Sequence, residues 1–118
     1  MVRMMKVKGK AIWIMCILFL LFDVVASLTT YIGITYLGLS EQNPFMIEMF
    51  AKYGIVPALI IASLITFALG VGVAIIGTHP RTRELFSFPS LISLGIFAAL
   101  TLTDALGNII AILKVILR

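Results

Sequence analysis

The sequence predicts an all-α fold: a polytopic membrane bundle of three transmembrane helices with a short interfacial helix after the first. Three observations lead there. Of 118 residues, 62% are hydrophobic and only 12% are charged. Mean hydropathy is +1.20, and a chain this short cannot hide so much apolar surface in a water-soluble core. Three apolar stretches each exceed the roughly 20 residues that a helix needs to cross the hydrocarbon layer. A soluble enzyme, a nucleic-acid binder and a disordered tail are all excluded by this composition.

The first span is placed at about 11–38, broken only by Asp23. Arg3, Lys6, Lys8 and Lys10 precede it, as expected of a cytoplasmic flank. The basic and apolar stretches followed by Val24-Val25-Ala26 resemble a signal peptide. Asp23 beside that would-be cleavage site, and an apolar run that resumes at once, favour a retained span. Twenty-nine residues cover about 43 Å against a core of about 30 Å, so the regular helix is expected to weaken between Gly33 and Leu39. Trp13 reads as an interface anchor and Cys16 as a small buried hydrophobe.

Asn43-Pro44 is a cap with proline at the first helical position. It opens the interfacial helix, about 44–53, where Glu48 and Lys52 are spaced i, i+4. The second span, about 55–77, carries no charge and no polar anchor. It does carry Ala58, Ala62, Thr66, Gly70 and Ala74 at every fourth position, a pattern that lets helices approach closely. That stripe could serve the bundle itself or a second copy. His79-Pro80 closes the span, and Arg81, Arg83 and Glu84 form a polar loop. The third span, about 89–116, is expected to open at Pro89, so that one domain occupies the whole chain.

The residues most costly to place in lipid are Asp23 and Asp104. An Asp at the bilayer centre costs roughly 2.5–3.5 kcal/mol on the mildest scale. With spans one and three running the same way, both fall near mid-membrane. Each heads a polar stripe: Asp23, Ser27 and Thr30 on one face, Thr101, Asp104 and Asn108 on another. Two such faces should turn toward each other or toward a wet cavity. Paired carboxyls would share a proton or hold a cation. The plainer reading is a protonated Asp acting as glue between helices.

Glu41-Gln42-Asn43-Pro44 forms a second polar cluster, with Glu41 and Asn43 as candidate ligands at the outer mouth. Along an unbroken helix Glu41 lies about 27 Å from Asp23. Only a chain that folds back after Gly33 could bring it in, and its oxygens would then suit a hard cation such as Mg²⁺. No HExxH, GxSxG, CxxC or phosphate-cradling glycine loop is present, and His79 reads as a surface residue.

Asp23 with Thr30, then Gly38, then Glu41-x-Asn43-Pro44, resembles the small prokaryotic membrane proteins of the DUF5658 type, found in many archaea. The resemblance covers roughly residues 11–60 by motif. It implies a membrane bundle, marks Asp23, Thr30, Glu41, Asn43 and Pro44, and brings no activity with it.

The favoured function is therefore a mid-membrane acidic site for a proton or cation, possibly serving transport or ion coupling. Asp23 and Asp104 would carry it, with Ser27, Thr30, Thr101 and Asn108 completing the shell. No cofactor is expected beyond a proton, a monovalent cation or Mg²⁺. A non-enzymatic role is favoured. The rivals are a metal-dependent membrane enzyme and a non-catalytic subunit or assembly factor. The partners are the lipid bilayer and, because three helices enclose little, a second copy or a larger membrane complex. With the N-terminus inside a plasma membrane, six cations lie inside and Lys52, Lys114 and Arg118 outside. Single cysteines placed at Lys10 and at Lys52 in a Cys16→Ser background should then react with an impermeant maleimide from opposite sides. Labelling of both from one side would refute the assignment.

Overall fold

A computed structural model describes residues 8–118. It contains α1 (Gly9–Leu37), α2 (Pro44–Tyr53), α3 (Ile55–Thr78) and α4 (Arg83–Ile116). There is no strand among the described residues. Helices α1, α3 and α4 are each long and apolar enough to cross a membrane, so the chain is an all-α membrane bundle. The expected flanking cations Arg3 and Lys6 lie outside the described residues; Lys8 and Lys10 are exposed at the start of α1.

Side-chain pairs give the register directly. Along α1 and α3, Gly9 meets Thr78, Ile12 meets Gly77 and Phe19 meets Gly70, while Ser27 meets Ser63. The first helix rises as the third descends. Helix α4 runs parallel to α1: the Phe19 and Phe97 rings lie 5.6 Å apart, and Asn108 reaches Ala26 and Thr30 further along. The core is Ile12, Cys16, Phe19, Ala74, Leu94 and Ala98, in the half of the bundle nearest the α3–α4 turn. Cys16 is buried there as the small hydrophobe expected.

The small-residue stripe of α3 is used inside the bundle. Ala58, Gly70 and Ala74 are buried. A Cβ on Gly70 would stand 3.1 Å from the Phe19 ring. Gly77 continues the approach: a Cβ there would stand 2.6 Å from Ser90 Cβ and 3.2 Å from Ile12 Cδ1. Glycine lets α3 and α4 nearly touch where the chain turns between them.

One boundary agrees with expectation and one differs. Helix α1 begins at Gly9 and ends at Leu37, inside the window expected for its weakening. Helix α4 begins at Arg83, six residues before Pro89, which sits within the helix. The polar loop thus shrinks to His79–Thr82, and Arg83 and Glu84 form the first helical turn. An acidic first turn suits the positive end of the helix dipole. Pro89 is the seventh residue of the helix, past the first turn, so it removes one backbone bond and crowds the carbonyl of Leu85; the helix nevertheless runs through it. Ser87 and Ser90 in this segment are buried, and Ser90 faces Gly77 of α3. His79 is exposed, its Nδ1 accepting the Arg81 amide at 3.1 Å.

Helix α2 buries none of its residues and, among the described residues, packs on α3 alone. This fits a helix lying along an interface.

Gly77→Ala should lower stability by about 1–3 kcal/mol through overpacking, measured as the melting temperature in detergent. Gly95→Ala, where an added Cβ would meet nothing within 4 Å, should not lower stability and should raise it by up to about 1 kcal/mol through helix propensity.

Candidate functional site

The upper half of the bundle is built differently from the lower. There the helices are separated by a cavity of about 830 Å³. Asp23, Ser27 and Thr30 face it from α1, and Asp104 and Asn108 from α4. Glu41 and Asn43 reach it from the loop before α2.

The α1–α4 register puts the two aspartates on a level. Asn108 Nδ2 donates to Ala26 O, 82 residues away, and to Thr30 Oγ1, 78 away. Asp23 and Asp104, 81 apart in sequence, fall within the same offset. In a parallel pair that means nearly equal height. They are not equally enclosed. Asp23 is partly buried, and its Oδ2 is sealed from solvent with no hydrogen-bond partner among the described residues. Asp104 is exposed at the open edge of the cavity.

Asn108 ties the two helices together. Besides Ala26 O at 3.2 Å and Thr30 Oγ1 at 3.0 Å, its Nδ2 approaches Thr29 Oγ1 at 3.0 Å. Thr29 in turn donates to Val25 O and Ala26 O. The amide thus meets both a carbonyl and hydroxyls of α1, which is how a polar side chain becomes tolerable in hydrocarbon.

On the α3 side the expectation of a span without a polar anchor is corrected. Ser63 pairs with Ser27, their hydroxyl oxygens 3.1 Å apart, and lies beside the Asp23 carboxyl. Its signal was simply a hydroxyl within an apolar helix facing a helix that also carries one.

The polar stripe on α4 is also corrected. Thr101 does not line the cavity; its hydroxyl donates back to Phe97 O at 2.7 Å. Thr103, Gly107 and Ala111 line the cavity beside Asp104 and Asn108. Thr101 lies three residues before Asp104, and at 3.6 residues per turn that spacing carries it around toward the packed side.

The cavity reaches Glu41 because α1 stops. Gly38 adopts the left-handed conformation (φ 69°), which glycine enters without the Cβ penalty. The Gly38 and Leu39 amides both converge on Gly33 O. Leu39 then folds back over Gly33, where a Cβ would stand 3.0 Å from Leu39 Cδ1. Leu39–Asn43 therefore turns back over the cavity instead of continuing upward.

Glu41 and Asn43 spend oxygens on the backbone of this turn. Glu41 Oε1 accepts the Gln42 and Asn43 amides at 3.1 and 3.0 Å. Asn43 Oδ1 accepts the Phe45 amide at 3.0 Å, capping α2. Among the described residues, no three His, Cys, Asp or Glu side chains are grouped closely enough to hold a metal ion.

No protein-family model, curated protein or solved structure matches this chain.

Asn108→Leu should cost about 0.6–1.7 kcal/mol, the range for hydrogen bonds between membrane helices. Thr101→Val should change stability little, because its hydroxyl is satisfied within its own helix. Equal losses in thermal unfolding of the two variants would contradict these roles.

Proposed function

We propose that this protein binds a proton or a cation in the cavity between α1 and α4, with Asp23 as the principal ligand and Asp104 as its partner. One observation carries the reading. Asp23 lines a cavity that, among the described residues, includes Asp104 and Glu41 but no Lys, Arg or His, and its Oδ2 is buried beside that cavity with no hydrogen-bond partner among the described residues. A carboxylate cannot stay ionised and alone in a low-dielectric site. It takes up a proton or a cation, and two carboxyls at one height can share either.

Ser27, Thr30 and Asn108 supply further oxygens on the same wall. Glu41 and Asn43 belong to the turn that closes the outer mouth. The arrangement suits a weakly held, exchangeable ion, as transport or ion coupling requires. The charge pattern supports an N-terminus inside the cell and a place in the plasma membrane. Asp104 and Thr103 are exposed on a membrane-spanning helix, and a second copy covering them completes the enclosure. The motif resemblance to DUF5658-type archaeal proteins marks the α1 and turn residues of this same cavity.

The test is thermal unfolding of the purified protein against cation concentration, across pH. A cation that binds the native state should stabilise it by about 2.7 kcal/mol at one hundred times its dissociation constant. Protons compete for ionised carboxylates, so the effect should fade on acidification. Asp23→Asn should abolish it and Asp104→Asn weaken it at least several-fold. Unchanged pH and cation responses in the Asp23→Asn, Asp104→Asn double variant would leave the pair as structural glue.

A further inference from the structure

Beside the acidic cavity lies a second space of different character. It is an apolar groove of about 510 Å³ between α1 and α3, lined chiefly by Leu28, Tyr31, Leu59, Ile60, Leu64 and Phe67. Ile60 and Leu64 are 54% and 64% exposed, so the groove opens on the outer, lipid-facing side of the bundle. Ser27 and Leu59 line both spaces. The Ser27–Ser63 hydroxyl pair stands where they meet.

We infer that the ligand of this site is an amphiphilic organic cation, its ammonium head in the acidic cavity and its alkyl tail in the α1–α3 groove. This rests on the cation-binding reading above and names the class of cation.

Three features carry it. The first is charge: the lining of the larger cavity includes three carboxyl side chains and, among the described residues, no cationic one, and the Asp23 carboxyl has a buried oxygen with no hydrogen-bond partner among those residues. The second is size. The cavity of about 830 Å³ falls in the range of sites that take drug-sized molecules, and a bare metal ion would leave most of it to water. The third is adjacency. Asp23 and Ser27 are one helical turn apart on one face, about 6 Å, so the anionic wall and the groove mouth are separated by a few methylene lengths. An acyl chain alone would satisfy the groove and leave the carboxylate unpaired. A small inorganic ion would satisfy the carboxylate and leave the groove unused. A cation with a tail satisfies both, and the groove admits it sideways from the bilayer, where such molecules accumulate.

The experiment measures ligand-induced thermal stabilisation of the full chain in lipid nanodiscs. Dodecyltrimethylammonium, tetramethylammonium, sodium and the neutral dodecyl maltoside are the probes. Wild type is compared with Asp23→Asn and with Ile60→Trp, which fills the groove from an exposed position. Both variants are first checked for a normal folded melting transition. If Ile60→Trp lacks one, Leu64→Trp replaces it.

Dodecyltrimethylammonium should stabilise wild type. Asp23→Asn should abolish the effect. Ile60→Trp should raise its half-saturating concentration about ten-fold, a loss of about 1.4 kcal/mol, while leaving tetramethylammonium unaffected. Partitioning into lipid is common to wild type and variant, so it cancels in that comparison. Stabilisation by sodium or tetramethylammonium, with no groove dependence for the tailed cation, keeps the cation site and overturns the amphiphile. Equal stabilisation by dodecyl maltoside assigns the groove to any chain and likewise overturns it. No response to any cation overturns both.

Discussion

Polar groups inside a membrane bundle must find their partners within the bundle, and the Asn108 amide is where this constraint has the widest effect. It meets Ala26 O and the hydroxyls of Thr29 and Thr30, which holds α4 parallel to α1 at one register. Slippage by a turn would leave that amide unpaired in hydrocarbon, a costly outcome that no lipid contact repays. The height of Asp104 relative to Asp23 follows from that register. Neither aspartate needs to touch the other for the alignment to hold.

The third helix answers a different demand. Its glycines and alanines let it lie against Phe19, Ile12 and Ser90 in the lower half. Toward the other end of the bundle the packing gives way to the two open spaces on either side of the Ser27–Ser63 pair. The bundle is thus close-packed where apolar and small residues interlock and hollow where carboxyl, hydroxyl and amide side chains gather. This division puts an acidic compartment and an apolar one next to each other at the depth of Asp23.

The roof of the cavity depends on backbone geometry more than on side-chain attraction. A residue with a Cβ at Gly38 would be strained in the left-handed conformation, and without the reversal there the chain would carry Glu41 away from the bundle. Glu41 and Asn43 then stabilise the turn they sit in. Their place in the cavity wall and their capping bonds come from the same fold-back. Their oxygens are therefore partly engaged already, unlike Asp23 Oδ2.

Much of this was legible in the residues. Hydropathy marked the three spans because burying about 20 apolar residues in lipid outweighs any local preference. Asp23, Ser27, Thr30, Asp104 and Asn108 stood out because polar groups are costly there, and all five line the cavity. Asn43-Pro44 announced the start of α2. The phase of a helix face was harder to read. Thr101 and Thr103 look alike in sequence, and both hydroxyls bond back within α4; only the rotation of α4 against α1 puts Thr103 in the cavity wall and keeps Thr101 out of it. Ser63 was passed over because one hydroxyl in an apolar span has no meaning until its partner on α1 is known. The run of α4 through Pro89 was likewise not legible, because an X-Pro step in sequence reads as a helix boundary. Composition and spacing by themselves determined which segments cross and which side chains could not face lipid, since those are costs each residue carries alone. Which hydroxyls meet, where the packing opens and how the chain returns over the cavity were decided only in three dimensions, because each depends on two helices at once.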